Sequence, residues 1–193
     1  NELRFDDKTI LVSHGGNGIS YLTEPVDYNY FDWESVGQMN LNIIVGARKE
    51  ADILNGPIQF SAGSGMTPEI MAIVQLLTGP KKNYLDTWEY KITWVKGMSG
   101  SERRLAFKRG DLNGTRENPA AYKKHVMPVI AEGKAFTWFH HGLLNVKTGN
   151  HDKDPNFEEP TFEELYEEMW GVAPEGDFYD AYKLVKSWRD ALQ

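Results

Sequence analysis

Residues 58–79 constrain the chain most. They read as an apolar run, Ile58-Gln59-Phe60-Ser61-Ala62, a turn of small residues, Gly63-Ser64-Gly65-Met66-Thr67, and then Pro68 heading a helix-periodic segment that stops at Gly79-Pro80. The order is strand, tight loop, helix. Glycines let backbone approach a ligand closely, and proline suits the first helical position, where its missing N–H has no partner to lose. Free N–H groups ahead of Pro68 and the positive end of the helix dipole suit the turn to a carboxylate or phosphate. Every αβ protein has connections of this kind, and a short Gly-x-Gly is a weak motif, so the rest of the chain must decide.

Composition narrows the classes. A chain of 193 residues holds one ordinary domain or two small lobes, and 40% hydrophobic with 25% charged residues is a globular balance. The formal charge of −7 argues against a nucleic-acid partner, which needs a basic face, but leaves room for a small anionic ligand at a local site. No cysteine is present, which removes disulfides, thiolate catalysis and Cys-bound zinc. No apolar run approaches the ~18 residues that would span a bilayer, and Asn1-Glu2-Leu3-Arg4 does not read as a signal peptide.

Further strand-end loops follow the same plan. Residues 8–13 read as a buried strand running into His14-Gly15-Gly16-Asn17-Gly18, with Ser13 and His14 at the junction. A lone loop histidine is more often solvated than ligand-bound. Residues 41–45 are the next strand, broken by Gly46, and a polar segment, residues 48–52, leads to the turn Asn55-Gly56-Pro57. In the helix after Pro68, apolar residues at 70, 73, 74, 76 and 77, widened by Met71 and Ala72, form a buried face. Residues 90–95 form a strand that ends in Lys96-Gly97, where Lys96 carries a charge for a ligand carboxylate or simply for solvent.

Ser99 with Glu102 spells a capping box for a helix to Arg109, with Gly110 past its end. Residues 111–115 read as a short strand, and Asn118 caps a helix opened by Pro119 and ended or kinked at Pro128. Arg116 offers a planar fork to a carboxylate unless Glu117 nearby, or another protein acid, takes it first. Residues 135–139 form a strand meeting His140-His141, which point to opposite sides of an extended chain and make a poor metal pair. Residues 148–160 read as a surface loop without calcium-ligand spacing. Thr161 with Glu164 is a second capping box, and Asp177 is placed to cap a last helix with apolar residues at 181, 184, 185, 188 and 192.

In its order of parts the chain resembles the solute receptors of tripartite tricarboxylate transporters, the Bug-type periplasmic binding proteins. The resemblance is carried by the strand, turn and helix from Phe60 to Pro68, by Val95-Lys96-Gly97 and the helix after it, by Gly110 to Thr115 with Asn118-Pro119, by Glu132-Gly133-Lys134, and by Pro160-Thr161-Phe162-Glu163-Glu164. It spans nearly all of the chain. It implies an α/β fold of the periplasmic-binding-protein type II kind, two lobes joined by crossing strands at 41–45 and 135–139. Lobe I is then 1–50 with 135–193, and lobe II is 51–134.

The first lobe is expected to be incomplete, because such receptors are longer and their opening strand and loop have no counterpart here. The chain therefore looks like an internal piece. The resemblance implies capture of a small organic carboxylate in an interlobe cleft, without catalysis or cofactor, outside the cytoplasm, for the membrane components of a tripartite transporter. Matching positions are Ser13, His14, Gly15, Gly16 and Asn17, then Ser61, Gly63, Ser64, Gly65, Met66 and Thr67, and finally Lys96, Gly97, Ser99 and Arg116. Where the family tends to place an acid after the short strand, this chain has Arg116, so the ligand's identity does not carry over.

An enzymatic alternative is that residues 62–68 hold a pyrophosphate, as in the NAD(P)H module of ferredoxin-reductase-type oxidoreductases. No flavin-binding Arg-x-x-Ser or Arg-x-Tyr pattern accompanies them. A hydrolase would need a Gly-x-Ser-x-Gly elbow, which is missing. A purely structural or interaction module is the third reading, favoured by the acidic surface and many aromatics.

Overall fold

The strand β1, Ile44–Arg48, is buried along its whole length because it is the middle strand of a sheet covered on both faces. Its neighbours, both antiparallel, are β4, Gly114–Glu117, and β5, Ala135–His140. A second pair, β2 (Ile58–Ser61) and β3 (Ile92–Val95), is parallel, with Ser61 opposite Val95. The computed structural model of the chain describes residues 42–51, 56–61, 67–81, 92–145 and 147–191, without side-chain detail at 81 and 188–191. The predicted strand at 8–13 and its loop lie outside these residues.

One side chain stitches β2 to β4. Asn113 Oδ1 accepts from the Gln59 N–H at 2.6 Å, and Asn113 Nδ2 donates to the Pro57 carbonyl at 3.1 Å, so an amide group replaces a rung of ladder. The ring of Phe60 occupies the place a Cβ on Gly114 would take. Gly46 does not break β1 as the sequence reading expected. It lies inside the strand at a β-bulge, where Val45 faces Phe139 and Gly46 faces Thr137, so that Trp138 is the extra residue. The bulge turns Trp138 and Phe139 into the same core.

Helices cover both faces. On one side α1, Pro68–Thr78, is buried at every position, a wider burial than the one face its periodicity predicted. It is enclosed by the sheet and by two later helices, α5 (Phe162–Trp170) and α6 (Asp177–Ala191). Each of Ile70, Ile73, Val74, Leu76 and Leu77 removed from water is worth about 1.5–3 kcal/mol. The helix stops at Gly79, whose φ of +62° and missing side chain admit the Trp170 indole; a Cβ there would lie 2.5 Å from the ring. Trp170 Nε1 donates to the Leu76 carbonyl at 3.1 Å, satisfying one acceptor of the last turn.

On the other face lie α2 (Gly100–Arg109), α3 (Pro119–His125) and α4 (Met127–Ala131), packing Phe107, Tyr122, Val126 and Val129 against Ile44 and Ala135. The expected caps are present: the Ser99–Glu102 box, Asn118 accepting from Ala121 N–H at 2.9 Å, left-handed Gly110, and the Thr161–Glu164 box. Pro128 falls at the start of α4, after the break at Val126.

Several expectations need correcting. Arg48, read as part of a polar connection, is the buried last residue of β1, and its guanidinium caps α2 by donating to the carbonyls of Phe107 (3.0 Å) and Lys108 (3.2 Å) while pairing with Glu50. The strand expected at 111–115 begins at Gly114 and runs to Glu117, because Asp111 and Leu112 close the end of α2 onto Ala106. Asp177 begins α6 instead of capping it, and the Gly176 carbonyl accepts from Asp180.

The buried face of α6 is also not the expected one. Tyr182 and Lys186 are buried, with Phe178, Tyr179 and Val185 beside them, while Leu184 is 69% exposed. Large aromatic rings, with Phe162 and Tyr182 centred 4.9 Å apart, fill the interface and turn the helix toward them. Residues 148–160 are not wholly surface loop: His151–Asp152 pairs with Leu143–Leu144 as strands β7 and β6, and Asp154 and Phe157 are buried. No helix among the described residues is long and apolar enough to cross a membrane.

Candidate functional site

Parallel pairing carries β2 and β3 to a common edge, where Ser61 ends one strand and Lys96 follows the other. The strand β4 reaches the same edge, since Arg116 contacts the first turn of α1, the helix that the turn after β2 leads into. Arg116 Nη1 donates to Glu69 Oε2 at 2.8 Å. Glu69 is 0% exposed, whereas the Arg116 side chain is 25% exposed. The pair is one end of a polar chain through the core. His141 Nε2 lies 3.9 Å from Glu69 Oε1, and His141 Nδ1 is 2.9 Å from the Tyr182 hydroxyl.

This arrangement makes Arg116 an anchored cation. Glu69 holds one terminal nitrogen, and a guanidinium has donors to spare. No other protein acceptor takes Nε or Nη2 among the described residues, and the side chain is partly open to solvent. Next to it, Thr67 holds the N-cap position of α1, but its Oγ1 makes no cap bond and is buried without a partner among the described residues. Lys96 is exposed with no carboxylate paired to it among the described residues, and Gly97, at φ +82°, has open space where a Cβ would point.

The residues expected from sequence separate accordingly. Arg116 meets the first turn of α1, which Thr67 precedes, while Ser61 ends β2 opposite Val95 and Lys96 with Gly97 follows β3. Ser99 is an exposed cap committed to Glu102, its Oγ accepting from Glu102 N–H at 3.3 Å, and it is not drawn into this cluster. Ser13, His14, Gly15, Gly16 and Asn17, like Gly63, Ser64, Gly65 and Met66, lie outside the described residues.

Sequence reasoning missed Glu69, His141 and Tyr182. For Glu69 a signal existed: an acid inside an otherwise apolar helix demands a partner when that helix is buried all round. No comparable signal marks Tyr182.

A second buried polar group sits on the other side of the same strand end. His140 Nδ1 accepts from the Gly142 N–H at 3.0 Å and lies 3.3 Å from Asn42 Nδ2, which donates to Asp154 Oδ2 at 3.0 Å. Accepting at Nδ1 assigns the ring proton to Nε2. Burial pushes the His140 imidazole below its ordinary value, and the nearby Asp154 pulls the other way without cancelling it. Burial opposes ionisation of Asp154 too, but hydrogen bonds from Asn156 and Asn42 outweigh it and hold the carboxyl below its usual range.

The linkage has a definite sign. Below pH 6.5 the unfolded chain binds a proton at residue 140 that the folded chain refuses, so stability is full above that pH and falls as the medium is acidified. Unfolding free energies in urea between pH 5 and 7.5 should lose up to about 1.4 kcal/mol per pH unit from this group, and His140→Gln should flatten the slope. Equal slopes for the two proteins would remove His140 as the cause.

The two adjacent histidines thus serve different neighbourhoods. Among the described residues no group of three or more His, Asp or Glu is placed to hold a metal ion. No protein-family model matches the chain, and no curated protein shows significant similarity to it.

Proposed function

We propose that the chain is a binding protein that captures a small organic carboxylate at the strand-end edge around Arg116, and that it serves as the extracytoplasmic receptor of a tripartite tricarboxylate-type transporter without chemically altering its ligand. The observation that carries the binding part is Arg116 itself, fixed in place by buried Glu69, partly exposed, and with donors that no other acceptor takes among the described residues. A planar fork of this kind matches a carboxylate in two parallel hydrogen bonds. The Thr67 hydroxyl and the Lys96 ammonium, neither of which has a partner among the described residues, supply further donors.

The receptor part rests on the order of motifs and on the adjacency of the two expected crossings where Val45 pairs with Phe139. Lobe II's α1 also packs on α5 and α6 of lobe I, so the proposed cleft lies at the open strand ends rather than along the helix layer.

A thermal-shift panel of mono- and dicarboxylates, with NADPH included, tests the reading, because a ligand bound only by the native state raises the melting temperature. The carboxylate found this way should bind about tenfold more weakly to the Ser64→Ala, Lys96→Ala double variant, the loss expected when charge-assisted contacts are removed. Unchanged affinity by calorimetry would count against this edge, and stabilisation by NADPH alone would favour a nucleotide-binding module.

A further inference from the structure

Between α2 and α3 lies an open groove of about 450 Å³ lined by Ser101, Arg104, Leu105, Lys108, Lys124 and His125. Its charge is opposite to that of the molecule as a whole. Residues 100–134 hold eight Lys and Arg against four Asp and Glu, within chain totals of 21 and 28, so every other region together has 13 against 24. Some of this positive charge is already used. Arg103 and Arg104 share the single buried carboxylate of Glu117, with Arg104 bound in two-point fashion at 3.0 and 2.9 Å. Two guanidiniums on one acid still leave a net positive charge, and no carboxylate pairs with Lys108 or Lys124 among the described residues.

Helix ends explain part of the pattern, since Lys108 and Lys124 sit in last turns, where the dipole favours cations. The dipole does not explain Leu105. This side chain is 52% exposed on the groove wall, one turn before Lys108, and Met127, just beyond His125, is 49% exposed. A helix surface that needed only cations would not present a leucine between them.

We propose that this groove binds an acidic peptide segment of a partner protein, with an apolar side chain of that segment seated on Leu105 and its carboxylates paired to Lys108 and Lys124. A polynucleotide fits less well. Its affinity grows with the number of phosphates neutralised, and the groove offers few cations before the acidic remainder of the surface begins. An apolar anchor ringed by charge is instead the arrangement that concentrates protein–protein affinity at one point. The inference is independent of the carboxylate site, which lies on the opposite face of β4.

The test uses the whole chain and fluorescence anisotropy of a labelled peptide, Glu-Asp-Leu-Phe-Asp-Glu, against the same peptide with Ser-Ser at its centre and against a short single-stranded oligonucleotide. The Leu-Phe peptide should bind saturably and weaken as salt is raised to about 0.5 M, where screening is nearly complete over the length of a side chain. Lys108→Glu with Lys124→Glu should weaken it at least about tenfold, and Leu105→Ser several-fold, as expected for charge reversal and loss of an anchor. All three positions of variation are exposed, so melting temperatures should fall by no more than the few degrees expected from removing two cations from helix last turns. Absence of saturable binding, equal binding of the Ser-Ser peptide, insensitivity to the substitutions, or tighter binding of the oligonucleotide would each overturn the proposal.

Discussion

Arg116→Ala should cost more stability than Glu69→Ala, although the two residues form one ion pair. Removing Arg116 deprives a fully buried carboxylate of its guanidinium, and breaking a buried pair from the exposed side costs about 3–5 kcal/mol. Removing Glu69 strands a cation that is already one quarter exposed and can be rehydrated, so about 2 kcal/mol is expected, mainly from lost packing and the lost hydrogen bond. Urea unfolding of both single variants and the double variant measures this order directly. The double variant should lose clearly less than the sum, with a coupling above about 1 kcal/mol. Additive losses would mean that the two charges do not depend on each other, and the anchoring role assigned to Glu69 would go with them.

The other large effect is expected at Gly142, which follows the two histidines. Its φ is +74°, and a Cβ there would overlap the Asp152 carbonyl oxygen and stand 3.2 Å from the carbonyl carbon. Alanine thus meets two penalties, about 1–2 kcal/mol for the left-handed backbone and about 1–3 kcal/mol for overpacking against atoms of a strand that cannot swing aside. Because the Gly142 N–H also fixes the His140 ring, relief by backbone movement would disturb the Asn42–Asp154 group as well. A loss near 3 kcal/mol lowers the melting temperature of a chain this size by roughly 6–12 °C. Gly149 is the matched control. Its φ is +72° with nothing within 4 Å of a Cβ, so Gly149→Ala should show the backbone penalty alone. Equal effects at the two positions would show that the Asp152 contact contributes nothing.

Together these variants probe two sides of the C-terminal end of β5. Arg116 and Glu69 report on how the edge proposed for ligand binding is held. Gly142 reports on the turn that sends His140 and His141 to different sides of the sheet.

Much of the local structure was legible beforehand. Ser99 and Glu102, Thr161 and Glu164, and Asn118 with Ala121 interact over three positions, and such spacing is visible in a string of letters. The strand, turn and helix around residue 60 were equally visible, although the turn's central residues lie outside what the structure describes. The partner of Arg116 was not visible. An acid was expected to compete for it, with neighbouring Glu117 first in line, but alternation along β4 sends Glu117 to Arg103 and Arg104 on one face and Arg116 to Glu69 on the other.

The α6 interface fails in a similar way. Aliphatic residues at 181 and 184 suggested one stripe, whereas aromatic packing on Phe162 selected a stripe through Tyr182 and Lys186.

By itself the sequence determined the caps at Ser99, Asn118 and Thr161, the extended segments at 58–61 and 135–139, and the uneven division of charge between residues 100–134 and the remainder. Capping, backbone preference and composition act within a few residues, or on counts alone. Only the tertiary structure decided that Glu69 meets Arg116 across 47 positions, that His141 meets Tyr182 across 41, and that Asn42 meets Asp154 across 112. Those choices follow from strand register, one bulge at Trp138 and the rotation of a docked helix, and each is set by packing against atoms distant in the chain.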